Sequence, residues 1–277
     1  MLRKLMKYDF KTMGRILVPA YLVMLALSVL FGLSLGGNHS YGLVGNMVTS
    51  QGYRRTMVTT LGFIFGASCF AGGLITLIMI IQSFYRNLLG APGHLMFALP
   101  VKVRTHVTAK GISATIWVIL GCLTGLLSLV LLSTAAFGPH YFGQLLMRFW
   151  PGIAEQLGSQ KEEVLYVLQI ILVLILGAAA EVMRIYASIS IGHLWSNHRV
   201  FGAVLAYIGF GVIGTLLVNL INFNAAQLDI FLNRIFLYSG AYAGHMALLY
   251  FALFELVVAV IYWVITSVIL SRRLNLA

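Results

Sequence analysis

The sequence predicts an all-α membrane protein with six transmembrane helices, and three observations carry that prediction. Hydrophobic residues make up 60% of the chain and charged residues 9%, against about 25% charged in soluble domains. Six stretches reach the roughly 20 mainly apolar residues needed to cross a bilayer core about 30 Å thick. The 18 Lys and Arg residues, set against 7 Asp and Glu, gather on alternate connections between those stretches. A water-soluble globule of 277 residues needs far more surface charge, which excludes an ordinary soluble enzyme, a disordered chain and a secreted domain. The net charge of +11 then marks one side of a membrane rather than a nucleic-acid surface.

The spans are expected at residues 16–36, 61–82, 111–133, 164–190, 201–221 and 247–270, in one transmembrane domain covering 1–277. The first span follows a basic segment. Its apolar run exceeds the roughly 7–15 residues of a signal core, and no A-x-A cleavage site follows, so it reads as a retained span. Before it, Leu2, Met6, Phe10 and Met13 recur at helical spacing while Arg3, Lys4, Lys7 and Lys11 lie off that stripe. Residues 1–15 are therefore expected to form an interfacial helix along the inner leaflet, with Asp9 as the one poorly placed charge.

Orientation follows from the basic residues beside the spans. With the N-terminus inside, the cytoplasmic segments hold 13 Lys and Arg and the outer loops five, namely Arg54, Arg55, Arg148, Lys161 and Arg234. Both termini are expected in the cytoplasm of a cell-membrane protein. Gly32 with Gly36, Gly62 with Gly66, and Gly121 with Gly125 repeat at four-residue spacing, which lets helix backbones approach closely in lipid. Cys69 and Cys122 lie inside apolar stretches and read as buried small hydrophobes, not a disulfide or a zinc site.

Between spans two and three, Pro92 can open a short helix and Pro100 forces Leu99 out of helical geometry. The result is about two turns on the cytoplasmic side carrying Leu95, Met96 and Phe97, whose apolar surface needs cover from the bilayer or from a protein. Between spans four and five stand His193, Trp195, His198 and Arg199. They lack the spacing and companion carboxylates of a metal site and read as an interfacial or docking turn. On the outer side, YFGQLLMRFW before Pro151 is expected at the membrane interface. Residues 222–246 are too short for two further spans; a broken re-entrant hairpin is allowed there if protein buries its polar backbone.

Catalytic signatures are missing: no phosphate loop, no H-E-x-x-H and no G-x-S-x-G occurs. Ionisable groups in the spans are few. Glu181 and Arg184, three apart near the cytoplasmic end of span four, should pair across one turn. Glu255, about a third of the way into span six, has no basic neighbour at four-residue spacing. An unpaired charge at mid-bilayer costs at least about 2.5–3.5 kcal/mol, so these groups are expected to face the bundle interior or a wet cavity.

The segments KLMKYDFKTMGRILVP, FYRNLLGAPGHLMFALPV followed by Lys110, IYASISIGHLW and SRRLNL together resemble ABC-2 type permeases. These are the membrane subunits of ATP-binding-cassette exporters, here most like the short ones of Gram-positive bacteria. The likeness covers essentially the whole chain, with Pro92 where an acidic residue is common and Ala98 where Thr is common. It implies an inner-leaflet connector helix, a cytoplasmic coupling helix between spans two and three, a second cytoplasmic contact between spans four and five, and re-entrant elements before span six. It also implies a second permease subunit, identical or homologous, and two separate ATPase subunits that bind the ATP and magnesium, with no cofactor or catalytic residue in this chain. The residues it assigns to ATPase coupling are Arg86, Asn87, Gly93, His94, Leu95, Met96, Phe97 and Pro100, with His193, Trp195, His198 and Arg199. The cargo it implies is amphipathic or hydrophobic, such as an antimicrobial peptide, a lipid-linked molecule or a drug. Two other functions fit the composition: a stand-alone membrane immunity or sensor protein, and an intramembrane enzyme using Glu181 or Glu255. A partner ATPase distinguishes the first reading from both.

Overall fold

The computed structural model describes residues 2–36, 51–85, 103–138, 160–195, 198–236 and 240–272, with short pieces between 140 and 148. Six long helices account for nearly all of them: α1 (Leu2–Gly36), α2 (Gln51–Phe84), α3 (Val103–Phe137), α4 (Gln160–Gly192), α5 (Arg199–Phe236) and α6 (Gly240–Arg272). Each contains an apolar run long enough to cross a membrane. Many of their residues are β-branched, which disfavours a helix in water. In lipid a helix satisfies every backbone N–H and C=O within its own segment, so the same residues are helical there.

The helices are longer than their apolar runs predict. At about 1.5 Å per residue, the 35 residues of α1 span about 52 Å, well beyond a bilayer core of about 30 Å. No break separates residues 1–15 from the first span, so the expected interfacial helix is the first half of α1. Nothing between Arg15 and Val18 interrupts helical hydrogen bonding, and Pro19 is accommodated inside the helix. Before the sixth span, α5 continues to Phe236 and α6 starts at Gly240. The expected hairpin is thus largely replaced by extensions of its two flanking helices. The coupling segment, with Arg86, Asn87, Gly93, His94, Leu95, Met96, Phe97 and Pro100, lies outside the described residues, as does half of the aromatic segment 141–150.

The chain divides into two compact units. One comprises residues 7–80 and 116–155. In it the Tyr21 hydroxyl donates to the Trp117 carbonyl at 3.3 Å and shares a 2.9 Å hydrogen bond with Thr76, so one side chain of α1 ties α2 and α3. Phe10 stacks on Trp117 with ring centroids 4.6 Å apart. Two predicted small positions carry close contacts: a Cβ on Gly32 would lie 2.6 Å from the Leu132 carbonyl oxygen, and one on Gly121 2.8 Å from the Tyr21 hydroxyl. At Gly66 and Gly125 nothing lies within 4 Å. A Cβ on Gly62 would lie 3.0 Å from the Phe31 ring, so in the pairs Gly62 with Gly66 and Gly121 with Gly125 the repeat marks one tight contact rather than two.

The other unit comprises residues 1–6, 81–115 and 156–277, and α4 is its centre, packing on α5 and α6. The N-terminal half of α4 exposes Val164, Leu168 and Leu174, whereas Val182, Tyr186 and Ala187 towards its C-terminal end are buried. Tyr186 stacks on Phe84 at 4.1 Å, and its hydroxyl donates to the Lys110 carbonyl at 3.4 Å. Lys110, counted above with the cytoplasmic loop, is a buried helical residue of α3 whose ammonium donates to Ser83 at 3.4 Å. The expected burial of the cysteines also needs correction: Cys69 is half-buried and Cys122 exposed, both as free thiols. An apolar stretch predicts burial from water, and on a spanning helix lipid provides that as readily as protein does.

Candidate functional site

The site is a cleft of about 300 Å³ between α4, α5 and α6, lined by Glu181 and Arg184, by Phe210, Gly211 and Gly214, and by Glu255 and Tyr262, among others. Its elements follow from spacing. Gly177, Ala180, Glu181 and Arg184 recur three and four apart and share one face of α4. Gly211 and Gly214 leave room on α5, where a Cβ at Gly214 would meet nothing within 4 Å.

Arg184 organises the polar wall. Its guanidinium reaches both carboxylate oxygens of Glu181 at 2.7 Å and donates to the Tyr207 hydroxyl at 2.7 Å. Tyr207 in turn donates to Glu181 at 2.5 Å, closing a three-residue ring between α4 and α5. The guanidinium carbon also lies 4.4 Å from the Tyr207 ring centroid, so charge, hydrogen bond and ring face act together. Arg184 was placed above among the cytoplasmic residues. Because α4 runs on to Gly192, its Cα is about 12 Å inside the helix end.

Glu255 enters the same cleft from α6. It lies roughly 16 Å and 24 Å along the axis from Gly244 and Ser271, the ends of its apolar span, and interacts electrostatically with both Glu181 and Arg184. A Cβ on Gly177 would sit 4.0 Å from its carboxyl carbon. The charged groups nearest Glu255 thus come from across the bundle, and neither forms a hydrogen bond or an ion pair with it among the described residues. The sequence reading missed Tyr207, Phe210 and Tyr262. A signal for Tyr207 was present, since a tyrosine within a span needs a partner for its hydroxyl.

The turn between α4 and α5 separates the four residues grouped there. Gly192 and Gly202 pack so closely that a Cβ on Gly202 would lie 3.3 Å from the Gly192 Cα. His193 turns inward against Tyr85, ring centroids 5.1 Å apart, and its Nδ1 pairs with the Ile189 carbonyl at 3.2 Å. Trp195, His198 and Arg199 are exposed. His193 therefore belongs to the packing of the turn and not to its outer surface.

Burial is the main force holding the His193 imidazole below its ordinary value of 6.5; the Ile189 carbonyl opposes it and the Arg199 charge adds to it. The folded protein then binds a proton less readily than the unfolded chain. This contribution to stability is complete above about pH 6.5 and is lost as pH falls towards the depressed folded value. His193→Gln should flatten that part of the profile. We expect the thermal midpoint of the native chain to fall more than the variant's between about pH 7.5 and about pH 5.5; identical drops would disprove the assignment.

At the other end of α4 a second polar cluster went unread in the sequence. His245 stacks on Tyr166 at 3.8 Å, and its Nδ1 pairs with Gln169 at 2.8 Å. Among the described residues no three His, Cys, Asp or Glu side chains converge as a metal site requires.

Six apolar helices, three of which enclose a charged cleft, define a multi-pass helical membrane protein. No family model, no characterised protein and no solved structure matches the chain.

Proposed function

We propose that this chain is the membrane-spanning subunit of an ATP-driven exporter of the ABC-2 permease type, working with a second permease subunit and two separate ATPase subunits. The observation that carries a transport reading is the Glu181–Arg184–Glu255 cleft at membrane depth. Ionisable groups are costly there, and the protein-facing ones generally mark pathways for ions or substrates. The choice of an ATPase-coupled permease rests on the sequence resemblance, with the basic excess on one side supporting two cytoplasmic termini. In this reading ATP binding closes the ATPase pair, the segment around residues 92–100 and the α4–α5 turn transmit the movement, and the permease pair alternates access. The cargo is amphipathic or hydrophobic, and the membrane is the cell membrane.

The test is retention of a Walker-motif ATPase by the tagged permease. Burying one large apolar side chain is worth about 1.5–3 kcal/mol, so two or three docked in an ATPase groove dominate such a contact. Leu95→Asp with Phe97→Asp should leave the spans inserted while the ATPase is no longer retained or stimulated. Undiminished recovery with normal transport refutes the coupling role. A cysteine at position 96, in a background lacking Cys69 and Cys122, should react with impermeant reagents from the cytoplasmic side only; labelling from outside reverses the topology.

A further inference from the structure

We infer that the cleft between α4, α5 and α6 binds an organic cation, a protonated amine carried on an apolar body, with Glu255 as its counter-ion. The inference deepens the transport reading and rests on it only for the ligand's being cargo; binding itself requires no ATPase.

The charge distribution in the cleft supports a cation. Two carboxylates and one guanidinium face it, an excess of one acidic group. One terminal nitrogen of the guanidinium, Nη2, is committed to Glu181 and Tyr207, Nε is buried, and Nη1 lies 3.7 Å from the Cβ position of Gly211. The charge of Arg184 is already offset by Glu181, so the carboxylate left without a paired charge is Glu255. Among the described residues nothing donates a hydrogen bond to Glu255, whose electrostatic neighbours are Glu181, which repels it, and the already engaged Arg184. An ammonium group would supply both the charge and the donors that this carboxylate lacks.

The walls suit the rest of such a ligand. Phe210, Phe254 and Tyr262 line the cleft, and Phe210 and Tyr262 meet at 4.9 Å with rings inclined by 54°. Aromatic faces attract cations as well as apolar bodies. The volume of about 300 Å³ is at the lower end of ligand pockets, which matches a small aromatic amine or one cationic side chain of a larger molecule. Gly214 keeps this volume open, with nothing within 4 Å of its Cβ position.

The test is equilibrium dialysis of the full chain in phosphatidylcholine nanodiscs against 1-naphthylmethylammonium, with empty nanodiscs subtracting partition into lipid and 1-naphthylmethanol as the neutral counterpart. We expect saturable binding of the ammonium that the alcohol does not displace, and weakening by about tenfold or more in Glu255→Gln. Gly214→Leu, which fills the cleft and keeps every charged group, should weaken binding similarly, so the test stands even if Glu255→Gln fails to fold. No saturable binding beyond empty nanodiscs, equal competition by the alcohol, or native affinity in either folded variant overturns the inference. Such a failure leaves the permease reading standing, and failure to retain an ATPase leaves this site standing.

Discussion

Replacing Arg184 with leucine is expected to be the most damaging single change within the spans, lowering stability by about 3 kcal/mol. Arg184 alone among the cleft residues offsets two carboxylates. Its loss strands Glu181 and Glu255 together at membrane depth and removes a partner from Tyr207. Breaking a buried ion pair from one side costs about 3–5 kcal/mol, chiefly because the survivor is left uncompensated. The low end applies because the Glu181 side chain remains 43% exposed and part of its charge is screened. Arg184→Lys should recover only part of the loss, since an ammonium is more strongly hydrated and lacks the delocalised group that Arg184 holds over the Tyr207 ring. Glu181→Leu combined with Arg184→Leu should be more stable than Arg184→Leu alone, because one stranded carboxylate disappears. Thermal midpoints in one detergent rank the four proteins, and a native midpoint for Arg184→Leu would show that the ring has no role in stability.

The second large effect is expected at the α4–α5 turn. In Gly192→Val the new Cβ would meet the Ala203 nitrogen and the Arg199 carbonyl oxygen at 2.5 Å each. Both are backbone atoms of α5, so relief requires the two helices to part rather than a side chain to swing. Overpacking a core costs about 1–3 kcal/mol, and the upper end applies where backbone must move. We expect a lower yield of folded protein, a reduced thermal midpoint and new protease cleavage at the turn. Gly66→Ala is the matched control, because its Cβ enters open space. Equal behaviour of the two variants would contradict the packing described for the turn.

The class of the protein was legible from composition and run length, since hydrocarbon leaves a chain few options. A segment of about 20 apolar residues has to satisfy its backbone internally, so six such runs mean six helices whatever their neighbours. The partner of a polar residue one turn away is legible in the sequence too, as with Glu181 and Arg184. Helix ends were harder. Apolarity stops at the membrane surface while helical hydrogen bonding does not, so α1 and α5 run on through segments that looked like separate elements.

What the tertiary structure alone decided is which helix faces meet. Glu255 and Tyr207 join Arg184 from residues 71 and 23 positions away, and no local spacing records such a meeting. Lipid and protein are nearly equivalent solvents for a leucine, so the apolar pattern of a span does not say which side is covered by protein, as Cys122 shows by facing outward. Polar groups are where the two environments differ most, because lipid offers them no hydrogen bond. Sequence therefore determined the number of helices and the scarcity of charges within them, while packing selected the few polar groups that share one cleft.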